Sequence, residues 1–139
     1  MKASLYHVQI NVGDPAVSVP FYRALFGYFE YTTILETIDM LGVSNGTTDF
    51  WLIATPSERR EPSFHRKNTG LNHLCFGVNA REDVDRFVTE FLTPHAIAAI
   101  YEGAREYPEY HSGYYAVFFE DPDRLKIEVA YVPGITDRK

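Results

Sequence analysis

His7–Phe26 reads HVQINVGDPAVSVPFYRALF, and His73–Leu92 reads HLCFGVNAREDVDRFVTEFL. Laid over one another, the two stretches keep register. The offset that carries His7 to His73 also carries Phe21 to Phe87, Leu25 to Phe91 and Phe26 to Leu92. Each stretch opens with a histidine out of phase with three apolar residues: Val8, Ile10 and Val12 in the first, Leu74, Phe76 and Val78 in the second. Such alternation is the pattern of a strand buried on one face. Each strand then gives way to apolar residues at helical spacing, Val17, Phe21, Leu25 and Phe26 in one copy and Val84, Phe87, Val88 and Phe91 in the other. A constant offset held through both elements marks an internal repeat.

Working outward, the first strand spans Leu5–Val12. Asp14 suits a helix N-cap, Pro15 the first helical position and Gly27 the helix end. Pro20 lacks a backbone N–H, which predicts a kink or an irregular first turn. Three strands are predicted within Phe29–Leu35, Asp39–Val43 and Phe50–Ala54, with a turn at Ser44-Asn45-Gly46. Thr55–Gly70 is polar, charged and contains two prolines, so it reads as a linker. The second copy gives a strand over Leu71–Asn79, a helix over Arg81–Leu92 closed by Pro94, and strands within Ala96–Tyr101, Tyr114–Phe119 and Leu125–Tyr131. The fold class is α+β, a single domain of two βαβββ modules at about 1–58 and 70–133. Neither module can bury both faces of so small a sheet, so the two are expected to pair.

Composition narrows the function. With 13 Lys+Arg against 19 Asp+Glu the net charge is −6, which argues against nucleic acid or an anionic membrane as partner. Ten Tyr and ten Phe suit both a core and a pocket for an apolar small molecule. The lone Cys75 excludes an intrachain disulfide and fits a reducing compartment. MKASLYHVQI does not read as a signal peptide, and no run approaches about 18 apolar residues. The expectation is a cytoplasmic protein with a small-molecule substrate.

His7 and His73 occupy equivalent places on equivalent strands, facing the space between the sheets. In KIEV, Lys126–Val129, Glu128 is out of phase with Leu125, Ile127 and Val129, and so falls on the histidine face. Two imidazoles and a carboxylate from separate strands predict a facial site for one divalent metal per chain, with positions open to substrate, water or dioxygen. Fe, Mn, Zn and Ni all suit these ligands. Alternatively, Glu128 pairs with Lys126 or Arg124. In EYPEYHSGYY, Glu106–Tyr115, His111, Tyr110 and Tyr115 are candidate proton donors and Tyr114 a pocket residue. The same tyrosines could instead cover a core or an interface. Gln9, Trp51 and Cys75 complete the substrate-facing candidates, although Cys75 also suits a small filler and Trp51 a core position. His65 and His95 read as surface residues.

These landmarks occur in order along nearly the whole chain: His7 with V-x-D-P, then F-Y-R-A-L-F-G, N-H-L-x-F-x-V and F-F-x-D-P-D-x-x-x-x-E. The sequence resembles the vicinal oxygen chelate superfamily, which holds glyoxalase I, fosfomycin-resistance thiol transferases, extradiol-type dioxygenases and bleomycin-resistance proteins. The resemblance implies paired modules forming a curved mixed sheet around a metal cleft, often in a homodimer, with His7, His73 and Glu128 as ligands. Glyoxalase I takes a further ligand at the first-module counterpart of Glu128; that position is Trp51, which can neither ligate nor relay a proton. Asp49 lies two residues earlier on the same face. Arg124 stands where the family's turn carries glycine, a strained substitution if the turn needs φ > 0. The implied function is a metal-dependent enzyme of dioxygenase or lyase type. The alternatives are a metal-independent drug- or metabolite-binding protein and, ranked lower, a fosfomycin-type thiol transferase.

Overall fold

The computed structural model describes residues 1–137. The chain divides into two compact units, Met1–Ser63 and Phe64–Lys139. Each is a βαβββ module with a four-stranded mixed sheet.

In the first unit, β1 (His7–Val12) leads into α1 (Pro15–Tyr28), followed by β2 (Thr32–Glu36), β3 (Met40–Ser44) and β4 (Asp49–Ala54). The sheet order is β1-β4-β3-β2, with β1 parallel to β4 and the other pairs antiparallel. Asp14 caps α1 by accepting the Ala16 N–H at 3.0 Å, and Pro15 opens it. The helix runs unbroken through Pro20. Its buried residues are Ser18, Val19, Tyr22, Leu25 and Phe26, whereas Val17 is 53% exposed. The apolar face is thus rotated from the expected one. Pro20 leaves the Ala16 carbonyl without its helical donor, and water can supply the missing partner only if that side faces solvent. Val17 shares the side. Nor does the helix end at Gly27. Glu30 takes the left-handed conformation (φ 62°), its N–H bonds Gly27 O at 3.1 Å, and the Tyr31 N–H bonds Phe26 O at 2.9 Å. This is a Schellman ending with a glutamate at the glycine position.

The second unit repeats the order. β5 (His73–Gly77) precedes α2 (Arg81–Phe87), then β6 (Ala99–Glu106), β7 (Tyr115–Glu120) and β8 (Lys126–Tyr131). The sheet order is β5-β8-β7-β6, with β5 and β8 parallel. The Asp83 carboxylate accepts the Ala80 N–H at 3.0 Å and starts α2. The expected helix to Leu92 is α-helical only to Phe87; Val88–Leu92 widens into a π turn. Both the N–H and the hydroxyl of Thr93 bond Val88 O, at 3.0 and 2.9 Å, and hold the wide turn ahead of Pro94. Strand β6 reaches past Tyr101 to Glu106. It bends through Tyr101, Glu102 and Gly103, whose φ values are 56°, 70° and 86°. Register along β7 is broken there, between Ile100 and Arg105.

One face of each sheet is covered by its own helix. Val12, Leu41, Val43, Phe50 and Leu52 form this layer with α1 in the first unit. In the second, Val117, Phe119, Ile127 and Val129 join Val84, Phe87, Phe91 and Leu92. The opposite faces carry the polar candidates. On β1, His7 and Gln9 are exposed while Val12 is fully buried, as alternation predicts. Among the described residues, no helix is long and apolar enough to cross a membrane.

Candidate functional site

Register brings the candidates of the second unit together. His73 and Cys75 on β5 stand beside Lys126 and Glu128 on β8, and Phe118 on β7 stands beside Glu128. Neighbours in register point to one face. Glu128 is 2% exposed, and both of its oxygens are engaged. Oε2 lies 3.1 Å from His73 Nε2, and Oε1 accepts the Tyr114 hydroxyl at 2.6 Å. The alternative partners are elsewhere: Arg124 reaches Glu120 at 3.4 Å, and the Lys126 ammonium sits over aromatic rings.

The proton on His73 is constrained by its neighbour. Asn72 Oδ1 lies 2.9 Å from His73 Nδ1, while Asn72 Nδ2 donates to Arg66 O at 3.2 Å. The second bond fixes which end of the amide is oxygen, so Nδ1 faces an acceptor and must carry a proton. Nε2 then faces a carboxylate oxygen. A lone pair against an anion is repulsive, so either Nε2 is also protonated or a cation is shared between nitrogen and oxygen. The pair therefore fits a divalent metal. Among the described residues, three or more His, Cys, Asp and Glu side chains nowhere form a ready metal cluster.

Around the pair the face is aromatic. Tyr107, Phe118, Ala116, Ala130 and Val132 form a buried cluster against which Ile100 and Tyr114 pack. Tyr110 stacks on Tyr107 at 5.4 Å and meets Tyr114 edge-on at 5.5 Å. Burial raises the pKa of Tyr114, and its hydrogen bond to Glu128 adds to the rise. Cys75 is exposed and stands beside Glu128 in register. Desolvation and then the Glu128 charge push its thiol up to about 12, so at neutral pH it is a thiol.

Two further candidates of the second unit, Tyr115 and His111, make their contacts away from this pair. Tyr115 lies on the helix-covered face; its hydroxyl donates to Asp85 at 2.7 Å and the Arg81 guanidinium covers its ring at 4.0 Å. His111 is exposed in the turn before β7, with Nδ1 2.9 Å from Ser112 O. In the first unit, Gln9 pairs in register with Trp51, as Cys75 does with Glu128. Trp51 is thus the positional counterpart of Glu128, and Asp49 stands beside His7 as Lys126 does beside His73. The indole lies over Gly42, where a Cβ would come within 2.5 Å of the ring. Arg124 has φ 68°, so the turn does need the left-handed conformation. His65 and His95 are exposed. Two residues of this face escaped the sequence reading, Asn72 and Tyr101. Asn72 opens the N-H-L-x-F-x-V element, but nothing in that element gives it a role; Tyr101 is turned by a bend that no motif announces.

A sequence profile of the glyoxalase/bleomycin resistance protein/dioxygenase superfamily matches residues 4–129. The chain belongs to that superfamily. It is 32% identical over 130 residues to the uncharacterized protein YqjT of Bacillus subtilis (strain 168), a match covering 90% of this chain and 96% of YqjT. Among solved structures, a "putative glyoxalase" of Bacillus halodurans is 34% identical with a TM-score of 0.80, over 92% of this chain and 95% of that one. The lactoylglutathione lyase of Agrobacterium tumefaciens, at 20% identity and a TM-score of 0.67 over 94% of each chain, shares the fold. So does the fosfomycin resistance protein FosX of Listeria monocytogenes, at 15% identity and 0.68 over 99% of this chain and 100% of that one.

Proposed function

We propose that this superfamily member is a metal-dependent enzyme that holds one divalent ion on His73, Glu128 and His7 and binds a small oxygen-bearing substrate there. The observation that supports it is the His73–Glu128 contact. The Asn72 amide commits the Nδ1 proton, which leaves Nε2 aimed at a buried carboxylate oxygen 3.1 Å away. A cation is the group that both atoms can share. His7 is proposed as the third ligand on the repeat alone, since it opens β1 as His73 opens β5. When bound, the ion supplies Lewis-acid polarisation of a substrate oxygen. Tyr114 fixes the Glu128 rotamer through Oε1, and the exposed Tyr110 ring, backed by the buried Tyr107, offers a flat surface for a ring or an aliphatic chain.

Trp51 at the counterpart of Glu128 argues against proton shuttling between two carboxylates. The reaction classes this favours are oxygenative cleavage and lyase-type elimination, with thiol transfer to an epoxide ranked lower. Fe, Mn, Zn and Ni suit the ligand set. Elemental analysis of the purified protein tests the reading: about one divalent metal per chain is expected, lost in His73→Ala and Glu128→Ala. A parent protein that takes up none of the four would overturn it. Turnover of catechols after anaerobic loading with Fe(II) decides the dioxygenase version.

A second reading has one observation in its favour. At 3.1 Å, a protonated His73 alone could satisfy Glu128, as in a metal-independent drug- or metabolite-binding protein. Ligand binding that survives both chelator and His7→Ala would select it.

A further inference from the structure

We infer that Lys126 is the site's receptor for a substrate carboxylate, so that the molecule bound at the His73–Glu128 pair is a small oxygenated acid. The location rests on the reading above; the uncompensated charge of Lys126 does not. Lys126 is paired in register with His73 on one side and Glu120 on the other. Directly opposed side chains on adjacent strands have Cβ atoms roughly 5 Å apart, so Lys126 and Glu120 should attract one another. Their charges do not pair. Glu120 is taken by Arg66 through Oε1 and reached by Arg124 through Oε2. Among the described residues, no carboxylate lies within ion-pair reach of the Lys126 ammonium.

Instead, Nζ lies 5.3 Å from the centroid of Phe118 and 5.7 Å from that of Tyr101. The Tyr101 ring meets Phe118 edge-on at 5.6 Å, and His73 meets Phe118 at 6.3 Å. Ammonium and imidazole thus flank one ring. Tyr101 is held there by three successive left-handed residues, two of them not glycine, a conformation that costs about 1 kcal/mol or more at each of those two. Ring faces hold a cation without neutralising it, which leaves its charge for a ligand. A single free ammonium matches a monoanion, because a phosphate dianion calls for more donors. The span between cross-strand neighbours suits an acid whose second oxygen sits a few bonds from the carboxylate.

The probes are 2-hydroxybenzoate, its neutral analogue 2-hydroxybenzamide and phenyl phosphate, titrated into the full chain by protein-observed NMR with and without Zn(II). The parent is expected to bind the acid at least tenfold more tightly than the amide. Lys126→Met should lose that preference, Lys126→Arg should keep it, and metal content should persist in both. If Lys126→Met does not fold, Lys126→Gln takes its place. A parent that does not prefer the acid, or a neutral variant that still does, overturns the inference. Tighter binding of phenyl phosphate overturns it in favour of a phosphate. A parent that takes up no metal yet shows a Lys126-dependent preference retires the metal reading and leaves Lys126 assigned.

Discussion

Asn72 decides the state of the site more than any residue that touches it. Its amide bridges the Arg66 carbonyl and the His73 ring, and that bridge sets where the imidazole proton resides. With the metal site proposed above, Asn72→Ala should lower metal affinity by about 10- to 100-fold while leaving the fold intact, as read by competition with a chelating dye. Two other residues carry strain that a smaller side chain would relieve. Glu30 and Arg124 adopt φ of 62° and 68°. Glu30→Gly and Arg124→Gly should each stabilise the protein by about 1 kcal/mol, less the greater freedom of glycine in the unfolded chain. Urea midpoints measure the gain. Arg124 could be suspected from sequence because the turn residues around it are diagnostic. Glu30 could not, since Gly27 was at hand as the obvious helix end and only the carbonyl geometry shows where the chain turns.

Period-two alternation made the strands readable at the scale of elements. It placed Glu128 on the histidine face and paired Trp51 with Glu128 as counterparts, because parallel pairing repeats the same register in both units. Adjacent tyrosines were harder. Tyr114 reaches Glu128 and Tyr115 reaches Asp85, and which of two neighbours faces the site depends on where β7 begins. The helices were legible as helices but not in their facing or their ends. The Ala16 carbonyl, left without a donor by Pro20, lies on the exposed side of α1 with Val17, and the Thr93 bonds hold the widened end of α2. Gly42 offers a test at this scale. A methyl group there meets the ring of the only tryptophan in the chain. Gly42→Ala should displace the indole, red-shift its fluorescence and cost about 1–3 kcal/mol.

Each of the two units keeps a tyrosine hydroxyl that folding makes harder to ionise. Burial raises Tyr31 in the first; burial and then the Asp85 hydrogen bond raise Tyr115 in the second. A raised tyrosine is a neutral acid favoured by the folded state. Its contribution is therefore whole below the unfolded value of 10.0 and fades as pH climbs through the folded value. Stability should fall above about pH 10, and Tyr115→Phe should shallow the fall. Urea midpoints at pH 8 and pH 11 check both.

Arg66 belongs to the polar stretch between the repeats, yet its carbonyl anchors Asn72 and its guanidinium occupies Glu120. The stretch that joins the repeats in sequence thereby bears on two groups of the proposed site, the His73 imidazole and the Lys126 ammonium. Loop swaps or protease nicks near this arginine should therefore alter binding at the proposed site without touching any of its proposed ligands.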